Sequence, residues 1–469
     1  MATPSTSGNG TVENKNEDNT LNNIEQVVKE INIKDTETDE PFIPPPRKEG
    51  EEDGLDPSDE ASRVEVLQSD PNTPYSSVST FEELGLSKEL LQGVYAMKYN
   101  KPSRIQATSL PLIAKDPPKN LIGQAKNGSG KTACFVLGML MKVNTKVEEV
   151  QALCVVPTRE LARQILSVLE TMGKYTGVKV YCAVKQTEEE RNVRQSIIRD
   201  HIIVGTPGRV MDLIKRRLFN PATVKIFVLD EADVMVDTQG MGDQTLRIKR
   251  ALSPQVQTLL FSATFSEQVQ ALAQRVAPNA SQIAVKREEL NLDNVQQYYF
   301  MCEGADKRFD LLSDIYGCLT IGQSIIFVHT RASANELTKR LREEGHTVSL
   351  LHGGDMSPEE RDRVIDEFRR GTTKVLVTTN VLARGVDVLQ VTVVVNYDLP
   401  LDVNNQPDPE TYLHRVGRTG RFGRKGLAIN FVYDRYSLKQ LQDIEKYLGN
   451  CHIEKVNSVE ELEKKIKHI

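Results

Sequence analysis

The chain has 469 residues, 39% of them hydrophobic and 26% charged, with no Trp, which suits a globular protein of two domains plus tails. Its formal net charge of −6 excludes capture of nucleic acid by the global field, so such a partner must meet a local basic surface. The six cysteines (Cys134, Cys154, Cys182, Cys302, Cys318, Cys451) contain no C-x-x-C pair and point to reduced intracellular thiols, and neither a signal-like N-terminus nor an apolar run long enough to span a membrane is present.

Residues 1–74 are rich in Asn, Thr, Glu, Asp and Pro, with Pro44-Pro45-Pro46 and the acidic block Glu49–Asp53. They hold too little apolar area to offset ordering entropy, so a mostly disordered acidic tail is expected. Within it, Leu21, Ile24, Val28 and Ile31 share one helical face of Leu21–Ile33, which reads either as a docking helix or as featureless tail. From Phe81 the pattern becomes strand-like runs alternating with helix-like segments. The strands are expected at Asn120–Gly123, Ala152–Val156, Val178–Val184, Ile202–Gly205, Ile226–Leu229 and Thr258–Ser262. After the polar stretch Lys286–Asn294 they resume at Gln296–Met301, Ser324–Val328, Thr347–Leu351, Val375–Thr378, Thr392–Asn396 and Ala428–Val432. Alternation of this kind predicts an α/β fold of two domains, residues 75–288 and 289–469, each a parallel sheet covered by helices. Val459, Leu462 and Ile466 have helical spacing and are expected to cap the second domain.

Two stretches carry chemistry on their own residues. Ala125-Lys126-Asn127-Gly128-Ser129-Gly130-Lys131-Thr132 lies between a strand-like run and the helix-like run Ala133–Val143. Its glycines let backbone N–H groups turn toward a polyphosphate, Lys131 supplies a point charge for the β- and γ-phosphates, and the Thr132 hydroxyl is placed for Mg²⁺. Ala125 stands where the general pattern has Gly, and alone the stretch also fits an ordinary strand-to-helix turn. Asp230-Glu231-Ala232-Asp233 follows the run Ile226–Leu229, where an open α/β sheet presents its ligand site. Asp230 is placed to hold Mg²⁺ through its water shell, and Glu231 to orient or deprotonate an attacking water. Alone it fits a solvated acidic turn; the two stretches together favour nucleotide hydrolysis.

Asp230–Asp233 spell the signature of the DEAD-box RNA helicases, and the chain resembles that family in motif order from residue 81 to about 435. The resemblance implies two tandem RecA-like domains, binding of ATP with Mg²⁺, and single-stranded RNA held by its backbone with little sequence preference. It identifies Tyr99–Gln106, with Phe81 upstream, as the adenine-reading element: Gln106 can pair with adenine and Tyr99 can stack on it, which favours ATP over GTP. It assigns RNA contacts to Pro157, Thr158 and Arg159 and to Thr206, Pro207, Gly208 and Arg209. Between these, Ala183-Val184-Lys185-Gln186-Thr187 replaces the Gly-Gly pair of many relatives, leaving the backbone contact made there open. Ser262 and Thr264 are expected to hydrogen-bond the Asp233 carboxylate and couple the nucleotide to domain closure.

In the second half, the stretch Thr378–Asp387 resembles the motif touching both ligands, with Gly385 and Asp387 at the nucleotide, Thr378 at RNA, and Asn380 where the family often has Asp. Arg418 and Arg421, three apart, are expected on one helical turn facing the γ-phosphate, a role worth about 10³–10⁵ in rate in related reactions. Without the resemblance the same arginines fit a generic anion-binding face. Thr330, Arg331, His352 and Gly353 resemble further RNA-facing positions, and no histidine cluster suggests a metal other than Mg²⁺.

Val64-Glu65-Val66-Leu67-Gln68 with Asp70-Pro71-Asn72, Leu91–Met97, Thr238-Gln239-Gly240 with Asp243-Gln244, and Asn405–Arg421 resemble the mRNA-export branch at the cytoplasmic face of nuclear pores. That branch implies a monomer in the cytoplasm and at the pore, with shuttling to the nucleus open, that works on mRNA with an inositol-hexakisphosphate-bound activator and a cytoplasmic-filament nucleoporin. It also implies an inhibitory helix in the N-terminal extension. A helicase of translation initiation and a largely non-unwinding RNA clamp share the catalytic motifs and stay open as alternatives.

Overall fold

Short runs of Val, Ile and Leu recur along the chain, and in the computed structural model they assemble into two sheets. The structure describes residues 64–67, 77–125, 129–184, 196–237, 240–285, 294–319, 322–353, 356–380, 391–402, 404–420, 425–449 and 452–466. The tail before Val64, the candidate helix Leu21–Ile33 and most of the polar stretch after Val285 lie outside the described residues.

The first sheet contains β1 (Val64–Leu67), β2 (Leu121–Gln124), β3 (Ala152–Val155), β4 (Val180–Ala183), β5 (Ile202–Gly205), β6 (Ile226–Leu229), β7 (Gln257–Ser262) and β8 (Ser281–Val285). Its order is β1-β8-β2-β7-β6-β3-β5-β4, parallel except for the antiparallel edge pair β1/β8. The second contains β9 (Val295–Met301), β10 (Gln323–Phe327), β11 (Val348–Leu351), β12 (Val375–Thr378), β13 (Val391–Asn396), β14 (Gly426–Val432) and β15 (Glu454–Val456), in the all-parallel order β11-β12-β10-β13-β14-β9-β15.

Helices α1 (Lys88–Ala96), α2 (Arg104–Ala114), α3 (Lys131–Lys142) and α4 (Arg159–Met172) cover one face of the first sheet; α5 (Pro207–Lys215), α6 (Ala232–Asp237), α7 (Met241–Ala251) and α8 (Glu267–Val276) cover the other. The strand period of two explains the division. Ala152, Cys154, Ile202 and Val204 pack with Phe135 and Ile165, while Leu153, Val155 and Ile203 pack with Leu213 and Ile248. Both faces being buried, the strands read as unbroken apolar runs. The second sheet repeats the plan with α9 (Arg308–Cys318), α10 (Arg331–Glu343), α11 (Pro358–Arg369), α12 (Pro409–Val416), α13 (Arg435–Leu448) and α14 (Val459–Ile466). Val459 and Leu462 of α14 enter the core beside Leu312 and Ile315, so this last helix caps the second sheet as its spacing predicts.

Three strands depart from the sequence expectation. β1 falls inside the stretch read as tail: residues 64–67 pair with residues 282–285 and cover an edge that would otherwise expose backbone donors and acceptors. β8 and β15 are short and carry polar residues, and long-range pairing rather than local pattern makes them strands.

Candidate functional site

The parallel strands deliver the expected site residues from their C-terminal ends. In the order β2-β7-β6-β3-β5, the first three strands lead into the phosphate-loop residues, Ser262 with Thr264, and Asp230 with Glu231. The next two lead into Pro157–Arg159 and Thr206–Arg209. In the second sheet the neighbours β11, β12 and β10 lead into His352-Gly353, end on Thr378, and lead into Thr330-Arg331. In the first sheet, the residues that the resemblance assigns to nucleotide and to RNA thus follow adjacent strands at their C-terminal ends.

Gly130 ends the phosphate loop at φ +93, a left-handed conformation that suits glycine, and α3 begins at Lys131. A Cβ on Gly130 would stand 2.6 Å from Gln106 Nε2 and 2.8 Å from Ser103 Oγ. Those side chains brace the loop: Ser103 Oγ donates to Ser129 O at 2.8 Å and Gln106 Nε2 to Gly130 O at 3.1 Å. Gln106 Oε1 accepts the Ser103 N–H, closing a capping box on α2, so pairing with adenine requires this amide to exchange its present partners. Phe81 is 2% exposed within the core, and Tyr99 is half-buried against it. The buried Lys131 donates from Nζ to Ala125 O at 2.6 Å, and Thr132 is half-buried beside it. Asn127 and Gly128 lie outside the described residues.

Asp230, Glu231 and Asp233 are all buried. Burial first and Glu231 second push the Asp230 carboxyl up to about 7, against the pull of Lys131. Glu231 has φ +53, a strained conformation for a non-glycine residue, and its Oε2 has no hydrogen-bond partner among the described residues. Buried carboxylates with an unpartnered oxygen fit a site completed by a hydrated divalent cation and an attacking water. Asp233 Oδ2 accepts Thr264 Oγ1 at 2.8 Å, as expected; Ser262 behaves differently, its Oγ accepting the Asp233 N–H at 3.3 Å rather than donating to the carboxylate.

The helix carrying the arginine motif is shorter than expected. α12 ends at Val416 with Gly417 next, and Gly420 follows at φ +70, so Arg418 lies in the turn beyond the helix rather than on it. Arg418 is buried and donates from Nε to His414 O at 3.0 Å. Arg421, Gly385 and Asp387 lie outside the described residues. Thr378 is fully buried, donating to Thr379 O at 3.0 Å, whereas Thr330 and Arg331 are exposed where α10 begins; His352 is buried, Gly353 half-buried. Of the first domain's RNA-type residues, Pro157 and Pro207 are buried, Thr158 and Thr206 precede helices α4 and α5, Gly208 is exposed, and Arg209 pairs with Asp212.

Several participants carried no signal in the sequence reading. Arg415 is fully buried, donating to Asn396 Oδ1, Asp398 O and Asn380 Oδ1, so the atypical Asn380 serves as its neutral cradle. Across the domain boundary, Asp362 Oδ2 meets Arg159 at 2.8 Å and Arg163 at 2.6 Å, and Glu160 pairs with Arg361 at 2.8 Å. His414 Nε2 lies 3.3 Å from Asp233 Oδ2, and Thr264 Oγ1 lies 3.0 Å from Glu410 Oε2. Glu231, Asp233 and His414 each bring a ligand-type atom within 4.8 Å of the others.

The DEAD/DEAH box helicase family matches residues 103–272, and the helicase conserved C-terminal domain matches residues 307–423. An ATP-dependent RNA helicase DBP5 from Scheffersomyces stipitis is 52% identical over 405 residues, covering 86% of this chain and 80% of that protein. Among solved structures, S. cerevisiae Dbp5 bound to RNA and ADP BeF3 superimposes with a TM-score of 0.79 at 49% identity, over 83% of this chain and 99% of that one. A variant of S. cerevisiae Dbp5 bound to Nup159, a Gle1 variant, IP6 and ADP gives 0.61 at 47% identity, over 82% of this chain and 100% of that one.

Proposed function

Because the chain belongs to the DEAD-box ATP-dependent RNA helicases, in the group of Dbp5, we propose that it remodels RNA and mRNA–protein particles with ATP in mRNA export, through two RecA-like domains at residues 75–288 and 289–469 that gain β1 as an added edge strand. The observation that carries this reading is the division of one strand-end surface into a nucleotide sector and an RNA sector, with the second domain reaching both. Ala125–Thr132 cradles the phosphates, Lys131 supplies positive charge, and Gln106 with Tyr99 and Phe81 frames the adenine. Glu231 orients or deprotonates the attacking water, and its strained backbone holds the carboxylate at the turn. Arg418 and Arg421 stabilise charge on the γ-phosphate, and Gly385 and Asp387 hold the ribose side. Mg²⁺, held by Thr132 and through water by Asp230, would supply charge neutralisation at the phosphates. The RNA backbone runs along Pro157–Arg159, Thr206–Arg209, Thr330-Arg331, His352-Gly353 and Thr378. Neither domain holds a complete site, so bound ATP and RNA favour the assembled arrangement and phosphate release relaxes it.

Likeness to the complexed S. cerevisiae protein supports a Gle1-like activator carrying inositol hexakisphosphate and a Nup159-like nucleoporin as partners, and partners of that kind support work at the cytoplasmic face of the pore. The test is steady-state ATPase with and without single-stranded RNA, then with activator and nucleoporin added. RNA and activator should each raise turnover, and Glu231→Gln should retain ATP and RNA binding while losing at least about a hundredfold in kcat. A wild-type rate indifferent to RNA, or near-normal turnover in E231Q, refutes the reading; indifference to the activator refutes the export assignment.

A further inference from the structure

A hydroxyl carries one proton, yet Thr264 Oγ1 faces two carboxylate oxygens: Asp233 Oδ2 at 2.8 Å in its own domain and Glu410 Oε2 at 3.0 Å in the other. Asp233 Oδ2 has a second side-chain donor within reach, His414 Nε2 at 3.3 Å, also from the second domain. Among these four side chains two donors face two acceptors, beside the Thr264 backbone N–H, which reaches Asp233 Oδ2 at 3.3 Å. Each acceptor gains one side-chain donor if the Thr264 proton goes to Glu410 and His414, protonated at Nε2, serves Asp233. Within the first domain alone, Thr264 has Asp233 as its carboxylate partner. Glu410 and His414 stand four residues apart on α12, so one helix face delivers the competing acceptor and the replacement donor together. The other Glu410 oxygen receives the Tyr447 hydroxyl at 3.5 Å, which steadies the carboxylate from behind.

We propose that Glu410 is a positioning residue for RNA-stimulated ATP hydrolysis: it draws the Thr264 hydroxyl across the domain boundary and leaves Asp233 to His414, so that docking of the domains is registered two residues from Glu231. The inference deepens the helicase reading and rests on it. A glutamate in the first turn of a helix also serves the helix itself, by facing the positive end of its dipole, and the experiment separates the two roles.

ATPase at saturating single-stranded RNA is measured beside the thermal midpoint of each variant. Glu410→Ala should lower kcat about ten- to a hundredfold with little change in KM for ATP, as expected for one lost hydrogen bond to a charged group. Glu410→Gln keeps an acceptor oxygen and should retain at least about half the wild-type rate. Thr264→Val already removes the shared proton, so the double variant T264V/E410A should be no slower than T264V. An E410A enzyme at the wild-type rate, multiplicative losses in the double variant, or equal losses in E410A and E410Q with a lowered midpoint would each overturn the proposal. Absence of RNA stimulation in the wild-type chain overturns the helicase reading and this inference with it; RNA stimulation that E410A leaves intact overturns this inference alone.

Discussion

At the scale of single residues, Asp230 is strongly perturbed by burial and by the neighbouring Glu231. Its carboxyl sits at about 7 against an ordinary value of 3.8, so the folded chain holds this proton where the unfolded chain has released it. The stability this confers is full below about pH 4 and is lost as pH rises to about 7, after which it stays flat. Asp230→Asn removes the ionisation, so in urea denaturation without nucleotide the variant should gain on the parent from pH 4 to pH 7, by on the order of 2–4 kcal/mol at pH 8. A gap that does not change with pH would show that the strain lies elsewhere. The residue type and strand-end position of Asp230 were legible in the sequence, because a phosphate loop and adjacent carboxylates are local patterns. The left-handed backbone of Glu231 and the double engagement of Gln106 were not, because both depend on contacts made by the folded turn.

Among the elements, the strands buried on both faces were legible almost to the residue, since a short unbroken apolar run bounded by turn residues, such as Ile226–Leu229, fits a strand covered on both sides. The end of α12 was not legible, because the helical spacing of two arginines does not reveal that Gly417 closes the helix between Val416 and Arg418. β1 escaped notice because four residues in an acidic surrounding carry too little pattern, and its role is conferred by β8, more than 200 residues away. The pairing has a measurable consequence. A chain starting at residue 61 keeps β1, whereas one starting at residue 69 leaves the β8 edge unpaired. The shorter chain should melt about 2–4 °C lower and aggregate sooner on heating, as differential scanning calorimetry and light scattering would register. Equal midpoints would mean that the edge is covered by other means.

For the whole molecule, the sequence divided the chain correctly into two α/β halves but could not say which surfaces meet, because charges from opposite halves carry no shared periodicity. The structure shows the meeting as two crossed ion pairs between successive residues: Arg159 with Asp362, and Glu160 with Arg361. Glu160 is 4% exposed and Arg361 22%, so removing one partner strands the other in a poorly hydrated place, at a cost of about 1–3 kcal/mol, while restoring the pair in the opposite sense should recover much of it. Arg159, the first residue of α4, is also among the residues proposed to contact RNA, so the clasp fixes that guanidinium only when the domains meet. Reversing Arg361 to Glu should therefore lower RNA-stimulated turnover about tenfold and raise the RNA concentration needed for half-stimulation, while the swap E160R/R361E should regain at least a third of the loss on a logarithmic scale. High salt should narrow the difference between R361E and the parent, because the pair is only partly shielded from solvent. A swap no better than the single variant, with both proteins folded by thermal melting, would remove the clasp from the mechanism and leave the contacts of Asp233 with His414 and of Thr264 with Glu410 to link the two domains.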